Sequence, residues 1–212
     1  MSNEESLLWP NWVEYLKGKK RCELIAQGTL INKHSIDQTI GRASLRGPVI
    51  ASGVRRIFNF ALIDENYEEN GGRYKRSGDA THSATLNILS TGEAQDKVNG
   101  ILFSVLAAEI DSLAEREYGY DLLPVEYKTT DEIDYAYMFI ARQGSKVVGH
   151  RVSADILPNE SSLSICLKGA STYGPAFLQM WIESCYLADE TPLMEHPYYQ
   201  DLVLDLSKTI DA

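Results

Sequence analysis

The longest strand-like run in the chain, VIASGVRRIFNFAL over Val49–Leu62, constrains the fold more than any other segment. It is rich in β-branched and aromatic residues, which favour extended strands, and Gly53 within it predicts a β-bulge. Shorter runs of similar character lie on both sides and predict further strands. These strands are predicted over Leu24–Ala26, Ala84–Leu89, Val98–Val105, Leu123–Tyr127, Ala136–Ala141 and Ser162–Leu167.

Helical patterns separate these strands at irregular intervals. Asn11–Lys17 has apolar residues at helical spacing, and a short helix is expected within Asn32–Ile40. Two further helices are predicted over Glu109–Glu117 and Phe177–Leu187, the second beginning at a turn that contains Pro175. Because strands and helices do not alternate regularly, we expect an α+β domain with a curved, barrel-like mixed sheet flanked by helices.

No repeat or Pro/Ser-rich linker divides the 212 residues, so a single domain over residues 24–190 is the simplest interpretation. Residues 1–23 are expected to form an N-terminal helical extension packed on that domain, and residues 191–212 a C-terminal extension. The charged, glycine-containing segment 64–79 is predicted to be a surface excursion, either a functional lid or a solvated loop.

Composition narrows the classes of partner. The formal net charge of -10 argues against a nucleic acid or an anionic membrane surface. The start, MSNEESLLWPNW, lacks the basic and apolar regions of a signal peptide, and no apolar run approaches the roughly 18 residues of a membrane span. We therefore expect a soluble, cytoplasmic protein; its oligomeric state cannot be predicted from the sequence.

Motifs for metal, nucleotide or nucleophilic chemistry are absent from the sequence. No GxSxG, P-loop or GxGxxG pattern occurs, and the scattered histidines predict no metal site. The cysteines are too far apart for a CxxC pair and are expected to be reduced, buried thiols. The histidines are His34, His82, His150 and His196, and the cysteines are Cys22, Cys166 and Cys185.

Two glutamates near the end of the predicted helix Glu109–Glu117 differ in their orientation. At about 100° per residue, Glu117 shares a stripe with Ile110 and Leu113, whereas Glu115 lies on nearly the opposite side. A carboxylate on the core side requires an explanation, because burying it without a partner is costly. Glu115 is interpreted as an ordinary surface residue.

Two explanations for Glu117 remain open. The side chain could reach solvent or pair with Arg55, Arg56 or a nearby backbone group. It could also be a partly buried general acid/base, with a pKa that burial raises toward the working pH. The residues that follow it, Tyr118 to Tyr120, would supply hydroxyl groups and a tight turn.

The segment AQGTL forms a second candidate feature. A strand that ends near Gly28 can direct successive backbone N–H groups, here those of Gly28, Thr29 and Leu30, toward a common point. Such an arrangement binds carboxylates or developing oxyanions, although an ordinary turn has the same pattern.

Short motifs follow one another in a distinctive order along most of the chain. They are AQGTL (Ala26–Leu30), GVRRIFN (Gly53–Asn59), ATL (Ala84–Leu86), VNGILFSV (Val98–Val105), LAERE (Leu113–Glu117) and GASTYGPAFLQMWIESCYLAD (Gly169–Asp189). From about Leu24 to Asp189, this ordered set resembles the γ-glutamylcyclotransferase-like family.

The resemblance implies a cofactor-free enzyme that acts on a small-molecule γ-glutamyl compound. The α-amine of the γ-glutamyl group would attack its own γ-carbonyl, close a 5-oxoproline ring and release an amine or amino acid. The family's catalytic carboxylate corresponds to Glu117, which would be the general acid/base. The residues implied for substrate binding are Gln27, Gly28, Thr29, Leu30 and Tyr120.

The chain departs from the family pattern at two places. Gln27 and Thr29 replace the tyrosine and serine of the family's YGS turn. The segment PNESSLS, Pro158 to Ser164, lacks the tyrosine of the family's proline-serine-tyrosine stretch. These changes imply a different substrate or, alternatively, a catalytically silent member that binds a small molecule.

Overall fold

A computed structural model describes residues 7–8, 10–40, 44–62, 83–118, 120–129, 133–141 and 150–210. The strands in this part of the chain are β1 (Arg21–Ala26), β2 (Ser44–Ser52), β3 (Val54–Leu62), β4 (Ala84–Ser90), β5 (Lys97–Leu106), β6 (Tyr120–Lys128), β7 (Ile133–Ala141), β8 (His150–Val152) and β9 (Cys185–Leu187). The α-helices are α1 (Asn11–Lys17), α2 (Lys33–Asp37), α3 (Ile110–Arg116), α4 (Glu160–Ser171), α5 (Pro175–Glu183) and α6 (Pro197–Ile210).

Five strands close into a barrel in the order β1-β5-β2-β6-β7. A parallel contact between β1 and β7, at Leu24 and Tyr137, completes it. A second sheet has the order β4-β3-β8, with β9 parallel to β3 on the same sheet. The predicted α+β fold with a barrel-like mixed sheet and flanking helices is therefore confirmed.

The run Val49–Leu62 forms two strands in two different sheets, so the prediction of one bulged strand was wrong. β2 belongs to the barrel, β3 belongs to the second sheet, and Gly53 joins them with a φ of 75°. Glycine adopts this left-handed conformation without steric cost. The Gly53 N–H donates to the carbonyl of Asp96, and its own carbonyl accepts from the N–H groups of Thr91 and Gly92. A turn, not a bulge, therefore transfers the chain between sheets.

The predicted strand Ser162–Leu167 was also wrong, because this segment lies within helix α4. The Asn159 side chain caps the helix by accepting a hydrogen bond from the Ser162 N–H at 3.1 Å. The buried residues recur at helical rather than strand spacing. They are Leu163, Cys166, Leu167 and Ala170.

The helix predicted over Phe177–Leu187 ends earlier, at Glu183. Beyond it, Cys185 and Leu187 are buried while Tyr186 is half-buried, which is the alternation of a strand. This short strand, β9, pairs with β3. At the other end, Pro175 occupies the first helical turn, as predicted.

Residues before the barrel pack directly on it. Helix α1 has the predicted limits, and the indole N–H of its buried Trp12 donates to the Tyr120 carbonyl at 3.0 Å. Leu7 and Leu122 exchange backbone hydrogen bonds of 2.8 and 2.9 Å. The domain limits 1–23, 24–190 and 191–212 stay predictions.

Several other expectations concern buried thiols, membranes and the charged segment. All three cysteines are buried and free, as predicted. In the part of the chain that the structure describes, no helix combines the length and apolar character required to cross a bilayer. The segment 64–79 lies outside the described residues.

Helix α4 approaches the turn that follows β1 without room for a side chain at Gly169. A methyl group there would lie 2.7 Å from the backbone nitrogen of Asn32 and 2.8 Å from its Cα. Gly169→Ala is therefore expected to lower the free energy of unfolding by about 1–3 kcal/mol, because backbone must move to relieve the contact. Urea denaturation measures the change.

Gly18→Ala is the matched control for this prediction. A methyl group at Gly18 would meet only ordinary contacts, of 3.4 Å to the Tyr15 carbonyl oxygen and 3.6 Å to that of Glu14. The backbone is already right-handed helical there, so alanine should leave stability unchanged or raise it by about 0.4–1 kcal/mol. Equal stability of the two variants would contradict the close packing at Gly169.

Candidate active site

A cavity of about 610 Å³ opens where strand β1 leaves the barrel. Its walls come from the end of β1 and the turn after it, from α2 and α3, and from strands of both sheets. Its polar and charged lining residues are Gln27, Thr29, Gln38, Thr39, Thr85, Ser112, Glu115, Arg116, Glu117, Tyr120 and Ser162. Gly28, Leu30 and Phe139 contribute to the rest of the wall.

The turn after β1 is fixed through its carbonyl groups. The Gln27 carbonyl accepts a hydrogen bond of 2.9 Å from the buried indole N–H of Trp181. The carbonyls of Gly28 and Thr29 accept from the next residues of a 3₁₀ turn over Thr29–Ile31. Within the described ranges, the N–H groups of Gly28, Thr29 and Leu30 have no hydrogen-bond acceptor. The turn therefore leaves donors available beside the cavity.

Glu117 is the C-cap residue of α3, and both its backbone N–H and its backbone carbonyl form hydrogen bonds. Its N–H donates to the Leu113 carbonyl at 2.9 Å, and its carbonyl accepts from the Tyr120 N–H at 3.1 Å. The side chain is only 12% exposed. Burial raises the pKa of Glu117 above the ordinary value of a glutamate, and the neighbouring Arg116 guanidinium opposes that rise.

Arg116 connects Glu117 to the turn and to helix α2. Its Nε donates to Glu117 Oε1 at 3.2 Å. One terminal nitrogen donates to the Ser35 carbonyl at 2.6 Å and to Thr39 Oγ1 at 2.7 Å. The other donates to Thr29 Oγ1 at 2.9 Å and to Ser35 Oγ at 2.8 Å. These five contacts join Glu117, Thr29, Ser35 and Thr39 through one guanidinium group.

Tyr120 lines the cavity and is buried. Its hydroxyl lies 3.3 Å from Thr85 Oγ1 and 3.3 Å from the Leu86 carbonyl oxygen. Its ring makes an edge contact with Phe60, with centroids 4.9 Å apart. Tyr118, by contrast, is 37% exposed and lies outside the cavity lining.

Known proteins with this architecture are detected by structure alone. No protein-family model matches the sequence, and no curated protein sequence matches it either. A solved structure of a γ-glutamyl cyclotransferase is 12% identical to the chain, with a TM-score of 0.54 over 87% of this chain and 99% of that one. The chain has a γ-glutamylcyclotransferase-like fold.

Two further structures share the γ-glutamylcyclotransferase-like fold. An uncharacterized protein from Homo sapiens is 14% identical, with a TM-score of 0.55 over 88% of this chain and 99% of that one. YkqA from Bacillus subtilis is 17% identical, with a TM-score of 0.55 over 80% of this chain and 56% of YkqA. At such low identities the likeness establishes the fold, so the activity must be argued from the site.

The γ-glutamylcyclotransferase-like fold brings the residues of the two candidate features to one cavity. Glu117 and Tyr120 approach it from the end of α3 and the start of β6, and the turn approaches from β1. Glu115, the other glutamate, is exposed and also lines the cavity. The catalytic and binding roles of these residues stay predictions.

The partner of Glu117 differs from those considered on sequence grounds. Arg55 pairs with Asp96 and Glu190, and the buried Arg56 donates to the carbonyl of Trp181 and to the side chains of Asn99 and Ser184. Neither arginine approaches Glu117.

Arg116 is the site residue that sequence reasoning missed. Its position directly before Glu117 in LAERE was a signal, since adjacent opposite charges at a helix end can pair. The contacts that define its role are not visible in the sequence, because Ser35 lies 81 positions away. Among the residues that the structure describes, no three His, Cys, Asp or Glu side chains cluster as metal ligands.

Proposed function

We propose that the protein is a γ-glutamyl cyclotransferase that releases 5-oxoproline from a γ-glutamyl amine or peptide. The observation that carries this proposal is a shared cavity. A largely buried carboxylate with a raised pKa, Glu117, lines the same space as a turn whose N–H groups lack acceptors in the described part of the chain. That combination suits a proton transfer beside a developing negative charge.

The reaction is an intramolecular aminolysis. The α-amine nitrogen forms a bond with the γ-carbonyl carbon, and the bond from that carbon to the leaving nitrogen breaks. The α-ammonium loses two of its three protons on becoming the lactam N–H. Glu117 takes the first before the attack and releases it to solvent; after the new bond has formed it takes the second and gives it to the leaving nitrogen, which departs as the amine, so the net charge of the enzyme is unchanged. Because nucleophile and carbonyl belong to one molecule, holding the substrate folded supplies much of the rate enhancement.

The surroundings of Glu117 support its role as acid and base in turn. An α-ammonium has an ordinary pKa of about 8, so an unperturbed carboxylate is a weak base toward it. The raised pKa of Glu117 reduces that mismatch. Arg116 engages Oε1, while Oε2 has no partner among the described residues and would face the substrate.

The turn would bind the anionic part of the substrate. The N–H groups of Gly28, Thr29 and Leu30 are suited to the α-carboxylate or to the oxyanion formed at the γ-carbonyl. Tyr120 would bound the substrate on the opposite side. The proposed reaction requires no cofactor, and we further propose a cytoplasmic protein whose substrates are small γ-glutamyl compounds, glutathione among the classes to be tested.

Release of 5-oxoproline from a panel of γ-glutamyl amines and peptides tests the proposal. The wild-type protein should produce 5-oxoproline together with an equal amount of the leaving amine from at least one compound. Glu115→Gln should retain this activity because Glu115 is exposed and outside the proposed proton transfer. Thermal stabilisation by a γ-glutamyl compound without any ring-closed product would instead support a catalytically silent binding protein. Absence of both effects would reject the γ-glutamyl site.

A further inference from the structure

Three peptide units carry the N–H donors of the turn after β1. A trans peptide unit is planar, and its carbonyl and N–H point in opposite directions, so a bond that fixes the carbonyl also fixes the direction of the next residue's N–H. The Gly28 and Thr29 carbonyls accept from the N–H groups of Ile31 and Asn32 at 3.0 and 3.2 Å. These bonds, made within the turn itself, set the directions of the Thr29 and Leu30 N–H groups.

The third peptide unit, which joins Gln27 to Gly28, is held from outside the turn. Its carbonyl accepts the indole N–H of Trp181 at 2.9 Å, from a residue 154 positions away in sequence. Gly28 lines the cavity, whereas Trp181 does not. Trp181 therefore acts on the direction of the Gly28 N–H through this peptide unit and not by touching a ligand.

Gly28 gives the same peptide unit a second possible orientation. Its φ is −110° and its ψ is −136°. A half-turn of the Gln27–Gly28 unit would bring φ to about +70°, in the mirror image of ordinary extended backbone, which glycine adopts at no steric cost. The half-turn would direct the Gly28 N–H toward the indole N–H of Trp181. Two donors would then face each other without an acceptor, which is costly in a buried place.

Trp181 is itself held in place by a buried arginine. Arg56 Nη1 donates to the Trp181 carbonyl at 3.0 Å, and the guanidinium carbon lies 4.9 Å from the centroid of the Trp181 ring. Both side chains are fully buried. The Trp181 carbonyl belongs to the last turn of α5, where the partial negative charge of a helix end suits a cation. The indole N–H is therefore a donor of fixed position.

We propose that Trp181 is a positioning residue that selects one orientation of the Gln27–Gly28 peptide unit and so aims the Gly28 N–H at the ligand. The inference rests on the proposed γ-glutamyl site, in which this N–H binds the anionic part of the substrate. The indole holds the Gln27 carbonyl on the side away from the ligand, so the ligand meets a donor and not an acceptor.

The variant Trp181→Phe tests this proposal. Phenylalanine keeps an aromatic ring beside Arg56 but has no N–H to give to Gln27. Crystal structures report the orientation of the peptide unit, and ¹⁵N relaxation dispersion of the Gly28 amide reports exchange between two orientations. Thermal unfolding checks that the variant folds. If it does not fold, 3-benzothienylalanine at position 181 keeps the two-ring shape and replaces the N–H with sulfur.

Tyr199→Phe is the matched control. It also removes one donor from a fully buried aromatic side chain, the hydroxyl that donates to the Pro158 carbonyl at 3.0 Å. Neither Tyr199 nor Pro158 lines the cavity. The control should lose stability but keep one orientation of the Gln27–Gly28 unit, with kcat/KM for 5-oxoproline release within a few-fold of the wild-type value.

Trp181→Phe should populate the turned peptide unit, with the φ of Gly28 near about +70° in part or all of the molecules. Its kcat/KM should fall about 2- to 10-fold, in proportion to the turned fraction, because only the other molecules offer the donor. A single wild-type orientation in this variant would overturn the proposal. So would a turned peptide unit with unchanged kcat/KM, because the Gly28 N–H would then play no part in the site.

Failure of this proposal is distinguishable from failure of the proposed reaction. A turned peptide unit in Trp181→Phe, with no 5-oxoproline from the wild type, would keep the orienting role of Trp181 and reject the cyclotransferase. Release of 5-oxoproline by the wild type, with one orientation in Trp181→Phe, would do the reverse.

Discussion

Replacing Glu117 with glutamine is expected to lower kcat/KM for 5-oxoproline release by about 10²–10⁴-fold, the usual contribution of a positioned acid/base. Glutamine has nearly the same shape, and its amide oxygen can still accept the hydrogen bond that Arg116 Nε gives to Glu117 Oε1 at 3.2 Å. It cannot take a proton from the α-ammonium. The loss of kcat/KM should therefore arise from the missing proton transfer and not from altered structure.

Glu115→Gln provides the comparison for this variant. It removes a carboxylate from the same helix end and from the lining of the same cavity, but from an exposed position. Its kcat/KM should remain within a few-fold of the wild-type value. Turnover that survives in Glu117→Gln, or that falls equally in both variants, would exclude Glu117 as the acid/base.

The same Glu117→Gln variant should be more stable than the wild type at neutral pH. Because burial raises the folded-state pKa of Glu117 above its unfolded value, the folded protein holds this proton over a pH range in which the unfolded chain has released it. Over that range the wild-type free energy of unfolding decreases as pH rises. The advantage of glutamine should therefore be absent below the ordinary glutamate pKa and grow as pH rises through the folded-state pKa.

Thermal unfolding at a series of pH values measures this difference. The midpoint temperatures of the two proteins should converge near pH 4, which is about the ordinary pKa of a glutamate side chain, and separate toward pH 8. A gap that stays constant across the series would mean that Glu117 titrates as an ordinary surface carboxylate.

The second large effect, a loss of folding stability, is expected from Arg116→Met. This substitution removes five hydrogen bonds that join Glu117, the turn at Thr29 and helix α2. Breaking a fully buried ion pair costs roughly 3–5 kcal/mol. A smaller loss of about 2–3 kcal/mol is expected here, because the side chains of Arg116 and Glu117 are still 21% and 12% exposed. Chemical denaturation measures the loss of stability.

The pH profile of kcat/KM distinguishes positioning from a purely structural role. Arg116 lowers the pKa of Glu117 against the effect of burial, so its removal should move the acidic limb of the profile to higher pH. Arg116→Lys is the matched variant: it keeps the positive charge but loses the planar arrangement of five N–H groups. Its acidic limb should stay near that of the wild type while its stability still falls. An unmoved acidic limb in Arg116→Met would contradict electrostatic coupling of the two residues.

Periodicity was sufficient to distinguish the two glutamates. The spacing of Ile110, Leu113 and Glu117 indicated an inward carboxylate, and the structure leaves Glu117 12% exposed while Glu115 is exposed. The same reasoning did not give the true helix end, because Glu117 follows the last helical residue and caps it. Caps depend on backbone angles that apolar spacing does not encode.

The wrong predictions involve short apolar runs whose environment decides their structure. The segment around Ser162–Leu167 has enough apolar residues for a strand, but it lies in a helix that the Asn159 side chain caps and that packs closely on the turn at Gly169. Val49–Leu62 is extended on both sides of Gly53, but sequence alone does not reveal that its halves pair with different strands. Partner choice is a property of the assembled sheets, as is the contact between Arg116 and Ser35.

The hydrogen bond from the Trp181 indole to the Gln27 carbonyl has a consequence for the kinetics of ligand binding. Together with the Arg116 contact to Thr29 and the close approach of Gly169 to Asn32, it orders the turn during folding of the chain. A ligand that enters the cavity then meets donors already held in place, and little loop entropy is lost at the moment of association. Association should therefore proceed in one step, at a rate set by ligand concentration and entry into the cavity, with no slower rearrangement of the turn.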